Sequence, residues 1–282
     1  MANKEIVERL RNQALLLRKE LLKLCNNTMI HIGGDMSAAD FMTAIWQYAM
    51  KYDTKDPKWE GRDRFVLSKG HAAAVTSFSQ AIRGCYKIDD IHKEYATDYG
   101  RFGMHSCNLI NPYVDVSTGS LGHGMPISVG VALGLRQKNN HTNRTYVVMG
   151  DGELDEGTIW ESALCAAQYK LGNLIAFIDR NRLQIDGFTE DVIKLDPLAG
   201  KWTAFGWNVV EINGHNMYEI VDAIDNLPDP KSDMPTVIIC NTIKGKNVDF
   251  MENQVGWHAG MLSDVDFEKA IASVQAAYER GE

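Results

Sequence analysis

Two kinds of hydrophobic pattern alternate along the chain. Short, continuously apolar runs recur at Arg64-Phe65-Val66-Leu67-Ser68, at Thr145-Tyr146-Val147-Val148, at Leu174-Ile175-Ala176-Phe177-Ile178-Asp179, and over residues 207–212 and 236–242. A run that is apolar throughout, rather than at every second residue, predicts a strand buried on both faces of a parallel sheet. Between the runs the apolar residues return at helical spacing. That spacing predicts a long amphipathic helix over 3–25, carrying Leu10, Leu15, Leu16, Leu17, Leu21, Leu22 and Leu24, and further helices from near His71 and over 122–138, 154–171, 218–226 and 264–280. Asp35 or Ser37 is expected to cap a second helix running through Tyr48. Strands alternating with helices imply an α/β fold: a doubly wound, mostly parallel sheet with helices on both faces. No repeat, low-complexity linker or compositional break divides residues 1–282, so a single domain is expected.

Composition narrows the function classes. With 45% hydrophobic and 23% charged residues the chain has the balance of a globular protein able to bury a large core. A net charge of −8 argues against a nucleic-acid partner, which needs clustered Lys and Arg. Cys25, Cys85, Cys107, Cys165 and Cys240 are odd in number and scattered, with no zinc-ligand spacing, so reduced thiols in a cytoplasmic compartment are expected. Residues 1–20 mix Lys, Arg and Glu with leucines and lack the apolar core of a signal peptide, and no run approaches the roughly 18 apolar residues of a membrane span.

The chemistry concentrates at two strand ends. Met149-Gly150-Asp151-Gly152 closes one apolar run, and Arg180-Asn181-Arg182-Leu183 closes the next. Gly-Asp-Gly alone reads as an ordinary turn. In a strand–turn–helix–strand unit, however, the carboxyl ends of both strands open onto one crevice where ligands of open α/β sheets bind. Asp151 and Asn181 would face each other there. One hard oxygen from each, plus a nearby backbone carbonyl, suits Mg²⁺ or Ca²⁺, with diphosphate oxygens and water completing the shell. Gly150 and Gly152 would let the backbone approach a phosphate, and Gly187, after Asp186, closes a further turn.

Gly150-Asp151-Gly152 followed by Asn181 resembles the signature of the thiamine-diphosphate enzymes, with Arg180 where many of them carry a first Asn. The histidines narrow the resemblance to the transketolase family. The run Asp63 to His71 is very similar to the family segment whose His contacts the cofactor diphosphate and substrate. His258 in Gly256-Trp257-His258-Ala259-Gly260, His31 in His31-Ile32-Gly33-Gly34 and His105 in Met104-His105-Ser106 fall at the family's other histidine positions. Ser117-Thr118-Gly119-Ser120-Leu121-Gly122-His123-Gly124 looks like the glycine-rich loop beside the cofactor's aminopyrimidine, with Ser120 replacing Pro and His123 replacing Gln. The resemblance implies catalytic roles for His31, His71, His105 and His258. It implies cofactor contacts for His71, Gly119, Ser120, Leu121, Gly150, Gly152, Glu156, Asn181 and His258, and metal ligation by Asp151, Asn181 and Leu183. Glu156 would stand at an interface linking two active sites. His215 reads as structural, and His92 and His141 as surface residues.

The activity implied is transfer of a two-carbon ketol unit from a ketose (phosphate) to an aldose (phosphate), with thiamine diphosphate as electron sink and Mg²⁺ or Ca²⁺ as its anchor. Several neutral imidazoles in one crevice suit polyhydroxylated substrates and proton shuttling near neutral pH. The resemblance covers only the diphosphate-binding domain; a full transketolase is over twice as long. A separate C-terminal subunit carrying the pyrimidine-binding domain and its activating glutamate is therefore expected, with two copies of each chain. The other readings are the α subunit of a 2-oxo acid dehydrogenase, a synthase of the deoxyxylulose type, or a non-catalytic cofactor-binding module.

Overall fold

The computed structural model describes residues 2–281; Met1 and Glu282, the ends of the expected domain, lie outside the described residues. In chain order the elements are α1 (Lys4–Asn27), α2 (Ile32–Ala44, continued by a π turn Ile45–Ala49), β1 (Arg64–Leu67), α3 (Ala73–Arg83), α4 (Ile88–Glu94), α5 (Gly124–Gln137), β2 (Thr145–Gly150), a 3₁₀ turn Gly152–Asp155, and α6 (Gly157–Gln168). They continue with β3 (Leu174–Arg180), β4 (Leu183–Gln184), β5 (Gly187–Phe188), α7 (Thr189–Val192), α8 (Leu198–Ala204), β6 (Asn208–Asn213), α9 (Met217–Asp225), β7 (Thr236–Asn241) and α10 (Asp264–Glu279).

Five strands form one all-parallel sheet in the order β1-β2-β3-β7-β6. The continuous apolar runs have the cause expected of them: alternate residues of each strand enter two separate cores. Phe65, Leu67, Tyr146, Val148, Ile175, Phe177 and Ile238 pack against α1, α2, α3 and α9 on one face. Val66, Val147, Met149, Leu174, Ala176, Ile178 and Val237 pack with α5, α6 and α8 residues on the other. The fold is therefore the doubly wound α/β sheet expected, with helices on both faces. The antiparallel pair β4–β5 turns at Ile185-Asp186, and Gly187 supplies the positive φ of 137° that the turn uses.

Helix α1 follows its pattern closely. Asn3 caps it by accepting from the Glu5 amide at 2.8 Å, and Leu10, Leu17, Leu21, Leu22 and Leu24 are buried. α2 departs from expectation, because neither Asp35 nor Ser37 caps it. The helix starts at Ile32, and both residues sit inside it, fully buried. Their side chains find tertiary partners instead: Asp35 Oδ1 accepts from Val75 N at 3.1 Å, and the Ser37 hydroxyl donates to Asp179 at 2.6 Å. Gly33 lets the first turn come this early, since a Cβ there would overlap the backbone oxygen of Trp257. The segment predicted as one helix over 154–171 is split by Glu156 into the 3₁₀ turn and α6. His92, read as a surface residue, is half-buried, with Nε2 at 2.6 Å from Glu20 Oε2 and its ring 5.3 Å from Phe78.

The topology decides where a site can lie. β1, β2, β3 and β7 all end at the same edge, and the segments leaving them begin Ser68-Lys69-Gly70-His71, Asp151, Asn181 and Thr242-Ile243-Lys244. The strand order turns back between β3 and β7, which is where an open α/β sheet leaves a crevice.

Candidate active site at the carboxyl edge of the sheet

β2 and β3 pair in register, Gly150 opposite Asp179, so Asp151 and Asn181 leave the sheet side by side. The chain after β3 curls back onto Asp151. Arg182, at φ +66°, donates its backbone N–H to Asp151 Oδ2 at 2.5 Å, and Arg180 Nη1 reaches the same oxygen at 3.4 Å. Asp151 Oδ1 accepts from Gly152 N at 2.9 Å. The orientation of the Asn181 amide is set from below: its Nδ2 donates to Asp179 Oδ2 at 2.9 Å, which turns Oδ1 toward the Leu183 amide, 3.1 Å away. The Leu183 carbonyl accepts from Lys244 Nζ at 3.1 Å. Asp151, Asn181 and Leu183 thus line one cavity of about 310 Å³, together with His71, Gly119, Leu121, Gly150, Gly152 and His258.

Whether these residues suit a cation is a question of charge and donor type. Burial and the neighbouring Asp179 push the Asp151 carboxyl up to about 6, so its ionised form lacks compensation. A divalent ion would supply it. The donors that converge here are a carboxylate, an amide and a backbone carbonyl, all hard oxygens. An ammonium already sits against the carbonyl, and burial together with Lys69 brings Lys244 down to about 8. Among the described residues no cluster of three or more His, Cys, Asp and Glu forms a metal site, so an ion would have to share its shell with a ligand's own oxygens. The set fits a metal bound jointly with a diphosphate. The two glycines differ in what they do. A side chain at Gly150 would point into free space, with Lys69 Cβ at 3.8 Å its nearest neighbour, whereas one at Gly152 would strike Gln184 at 2.7–2.9 Å. Gly152 is required by packing as well as by access.

Four histidines from separate parts of the sequence meet beside this cavity. The His31 ring lies 5.3 Å from His71, 6.0 Å from His105 and 5.6 Å from His258, and His71 lies 5.4 Å from His258. Burial lowers the proton affinity of His31, His71 and His258, and the charges of Lys69 and Lys244 lower it further, bringing His258 to about 4. These three imidazoles are neutral at pH 7. His31 Nδ1 is buried with no hydrogen-bond partner among the described residues. His105 is exposed at the rim. Ser120 and Glu156 are also exposed and lie outside the cavity lining, while Glu153 is the buried acid, accepting from Ser68 and from the Gly122 and Gly150 amides.

The sequence matches the family profile described as transketolase, thiamine diphosphate binding domain, over residues 14–277. It is 38% identical over 279 residues to one subunit of the apulose-4-phosphate transketolase of Phocaeicola vulgatus, covering 97% of this chain and 96% of that one. The chain belongs to the transketolase family. A 6-deoxy-6-sulfo-D-fructose transketolase subunit of a Clostridium species is 37% identical, with 94% of this chain and 96% of the relative aligned. The solved transketolase of Campylobacter jejuni superposes with a TM-score of 0.84 at 28% identity, covering 97% of this chain and 43% of that one. The chain thus spans under half the length of the solved transketolases it matches, and corresponds to their thiamine-diphosphate-binding N-terminal part.

The strand-end pattern and the transketolase resemblance marked Asp151, Asn181 and the histidines, which the fold brings to one region, but left out what holds them. Lys69 and Asp179 form an ion pair at 2.6 Å with side chains 1% and 0% exposed. Asp179 takes further hydrogen bonds from Ser37, Thr242 and Asn181. Lys244 Nζ lies 2.9 Å from His258 Nδ1. The signal for both lysines was present: each sits just past the end of an apolar strand, β1 or β7, on the edge that carries the crevice. Asp35 is the costly member. It is fully buried, its Oδ2 has no hydrogen-bond partner among the described residues, and burial pushes its carboxyl up to about 7 from 3.8. Because the folded-state value is raised, the unfolded chain ionises first, and the cost grows as pH climbs from about 4 to about 7 and is constant above. At 1.36 kcal/mol per unit this amounts to roughly 4 kcal/mol at most. Asp35→Asn is expected to remove that slope: denaturant unfolding at pH 5 and pH 8 should show the variant gaining on the native chain as pH rises. Parallel curves for the two proteins would show that Asp35 carries no such cost.

Proposed function

We propose that this chain is the metal- and diphosphate-binding subunit of a two-chain transketolase, which moves a two-carbon ketol unit from a ketose to an aldose. The observation that carries the reading is the convergence of the Asp151, Asn181 and Leu183 oxygens with His31, His71 and His258 at one crevice. Asp151, Asn181 and the Leu183 carbonyl would hold Mg²⁺ or Ca²⁺, and through it the diphosphate of thiamine diphosphate, with His71, Gly119, Leu121 and His258 facing the cofactor. When bound, that cofactor supplies the electron sink for carbon–carbon cleavage. The chain's own residues do the rest. Neutral His31 and His71 can each donate or accept at a sugar hydroxyl, and can relay a proton by taking one at one ring nitrogen as the other releases one, while His258, its Nδ1 facing the Lys244 ammonium, can donate from Nε2. The Lys244 ammonium, which meets a carbonyl and an imidazole rather than a carboxylate, offers the crevice a positive charge suited to an anionic cofactor.

The names of the relatives support a partner chain. Relatives named as subunits match this chain nearly end to end, whereas the solved transketolases are more than twice as long. A second chain carrying the pyrimidine-binding domain would contribute the activating carboxylate, in an assembly with two copies of each. Relatives named for apulose 4-phosphate and 6-deoxy-6-sulfo-D-fructose support a ketose donor with an anionic end. The test is to assay ketol transfer by the purified chain alone and after mixing with the product of the adjacent reading frame. Turnover is expected only in the mixture; full turnover by this chain alone would overturn the two-chain reading.

A further inference from the structure

Among the histidines left outside the site, His215 occupies a more constrained position than a structural turn residue needs. It follows β6, at the start of α9, and its ring is half-buried against α2. Its Nδ1 lies 2.9 Å from Asp40 Oδ2, and its Nε2 accepts the backbone N–H of Ile243 at 2.9 Å. A carboxylate can only accept, and a backbone amide can only donate. The two contacts together therefore require one tautomer of the neutral ring, with hydrogen on Nδ1 and a lone pair on Nε2. Asp40 is held as a carboxylate by Arg18, which grips both its oxygens at 2.7 and 2.6 Å from α1. The Arg18 guanidinium and the Asp40 carboxyl are both buried.

The Ile243 amide lies two residues past the end of β7: the Thr242 amide still reaches the Arg180 carbonyl of β3 at 3.1 Å, and the Ile243 amide turns to His215 instead. The next residue is Lys244, whose ammonium reaches both the Leu183 carbonyl and His258. Gly245, at φ +75°, then returns the chain to α2 through a hydrogen bond from its amide to the Gly33 carbonyl at 3.0 Å. A line of polar contacts so runs from the outer helix α1 through Asp40 and His215 to the backbone that aims Lys244 into the crevice.

We propose that His215 is a positioning residue for the cofactor site: oriented by the Arg18–Asp40 pair, it fixes the Ile243-Lys244 backbone and hence the Lys244 ammonium. The assignment of that crevice to metal and diphosphate is the reading given above; the backbone restraint is independent of it. Two variants separate positioning from packing. His215→Phe keeps a planar ring and removes both hydrogen bonds, whereas the amide of His215→Gln can donate to Asp40 and accept from Ile243. In the full chain, hydrogen exchange should quicken at least about tenfold over residues 241–250 in His215→Phe, with the rest of the sheet unchanged, and return close to the native rate in His215→Gln. Titration with Mg²⁺ and thiamine diphosphate, partner chain present, should show weaker binding in the Phe variant and recovery in the Gln variant. Native exchange over 241–250 in a folded His215→Phe chain would overturn the proposal, as would equal losses in both variants. Weakened protection with no cofactor binding even by the native chain would instead count against the functional reading while sustaining the restraint. Nitrogen-15 NMR of the unaltered chain gives a check that needs no variant: the His215 ring should carry its proton on Nδ1 alone, and a proton on Nε2 would overturn the proposal.

Discussion

Asp151→Ala is expected to weaken metal-dependent binding of thiamine diphosphate about a hundredfold or more, while leaving the fold intact. The two halves of that expectation have separate causes. Asp151 is the one carboxylate in the proposed ligand set, so its loss leaves a divalent ion with only an amide and a carbonyl from the protein. The fold should tolerate the change because the buried acid is not a stabilising one: burial and Asp179 already raise its proton affinity. Its contact with Arg180 is long at 3.4 Å, and Arg180 keeps Thr189 at 2.7 Å and Glu190 at 2.7 Å. Calorimetric titration of the variant against the native chain, with thermal unfolding as control, measures both. Undiminished metal-dependent binding by the variant would remove Asp151 from the ligand set.

The second large effect is on stability. Lys69→Met should cost about 3–5 kcal/mol, because it leaves the Asp179 carboxylate fully buried without a counter-charge. Asp179 is 0% exposed and would keep only Ser37, Thr242 and Asn181 as neutral donors. Against burial, which raises it, Lys69 and the Ser37 and Thr242 hydroxyls hold this carboxyl below the usual range in the native chain. Without Lys69 that hold weakens, so the deficit should shrink as pH falls and Asp179 takes up a proton. Adding Asp179→Asn to Lys69→Met should recover part of the loss at pH 8. A loss below about 1 kcal/mol in denaturant unfolding would mean that the buried pair contributes little beyond its hydrogen bonds. The pair also matters to the site, since Asp179 sets which way the Asn181 amide points.

Sequence patterns revealed the parts of this molecule governed by local chemistry. The five parallel strands could be read because residues such as Val147 and Val148 are both apolar, one for each core. The meeting of Asp151 and Asn181 could be read because strand ends of such a sheet share an edge. The start of α2 could not, because Asp35 and Ser37 carry capping side chains that tertiary partners on α3 and β3 claim instead. The short helices α4 and α8 went unpredicted, being only seven residues each, too short for periodicity to register. At the site, the transketolase resemblance marked the four histidines by position in sequence, and the fold brings them around His31. What composition hides is enclosure. Lys69, Lys244 and Asp179 look like ordinary charged residues, and only the packing of α2 and the 242–246 segment over the sheet makes them buried and mutually dependent.

The most direct measurement is a crystal structure of the chain, together with its partner, grown with Mg²⁺ and thiamine diphosphate. Asp151, Asn181 and the Leu183 carbonyl are expected to hold the ion in the crevice lined by His71 and His258, with the diphosphate in the same crevice. An ion or diphosphate bound elsewhere, with the Asp151 and Asn181 side chains contacting neither, would contradict that expectation.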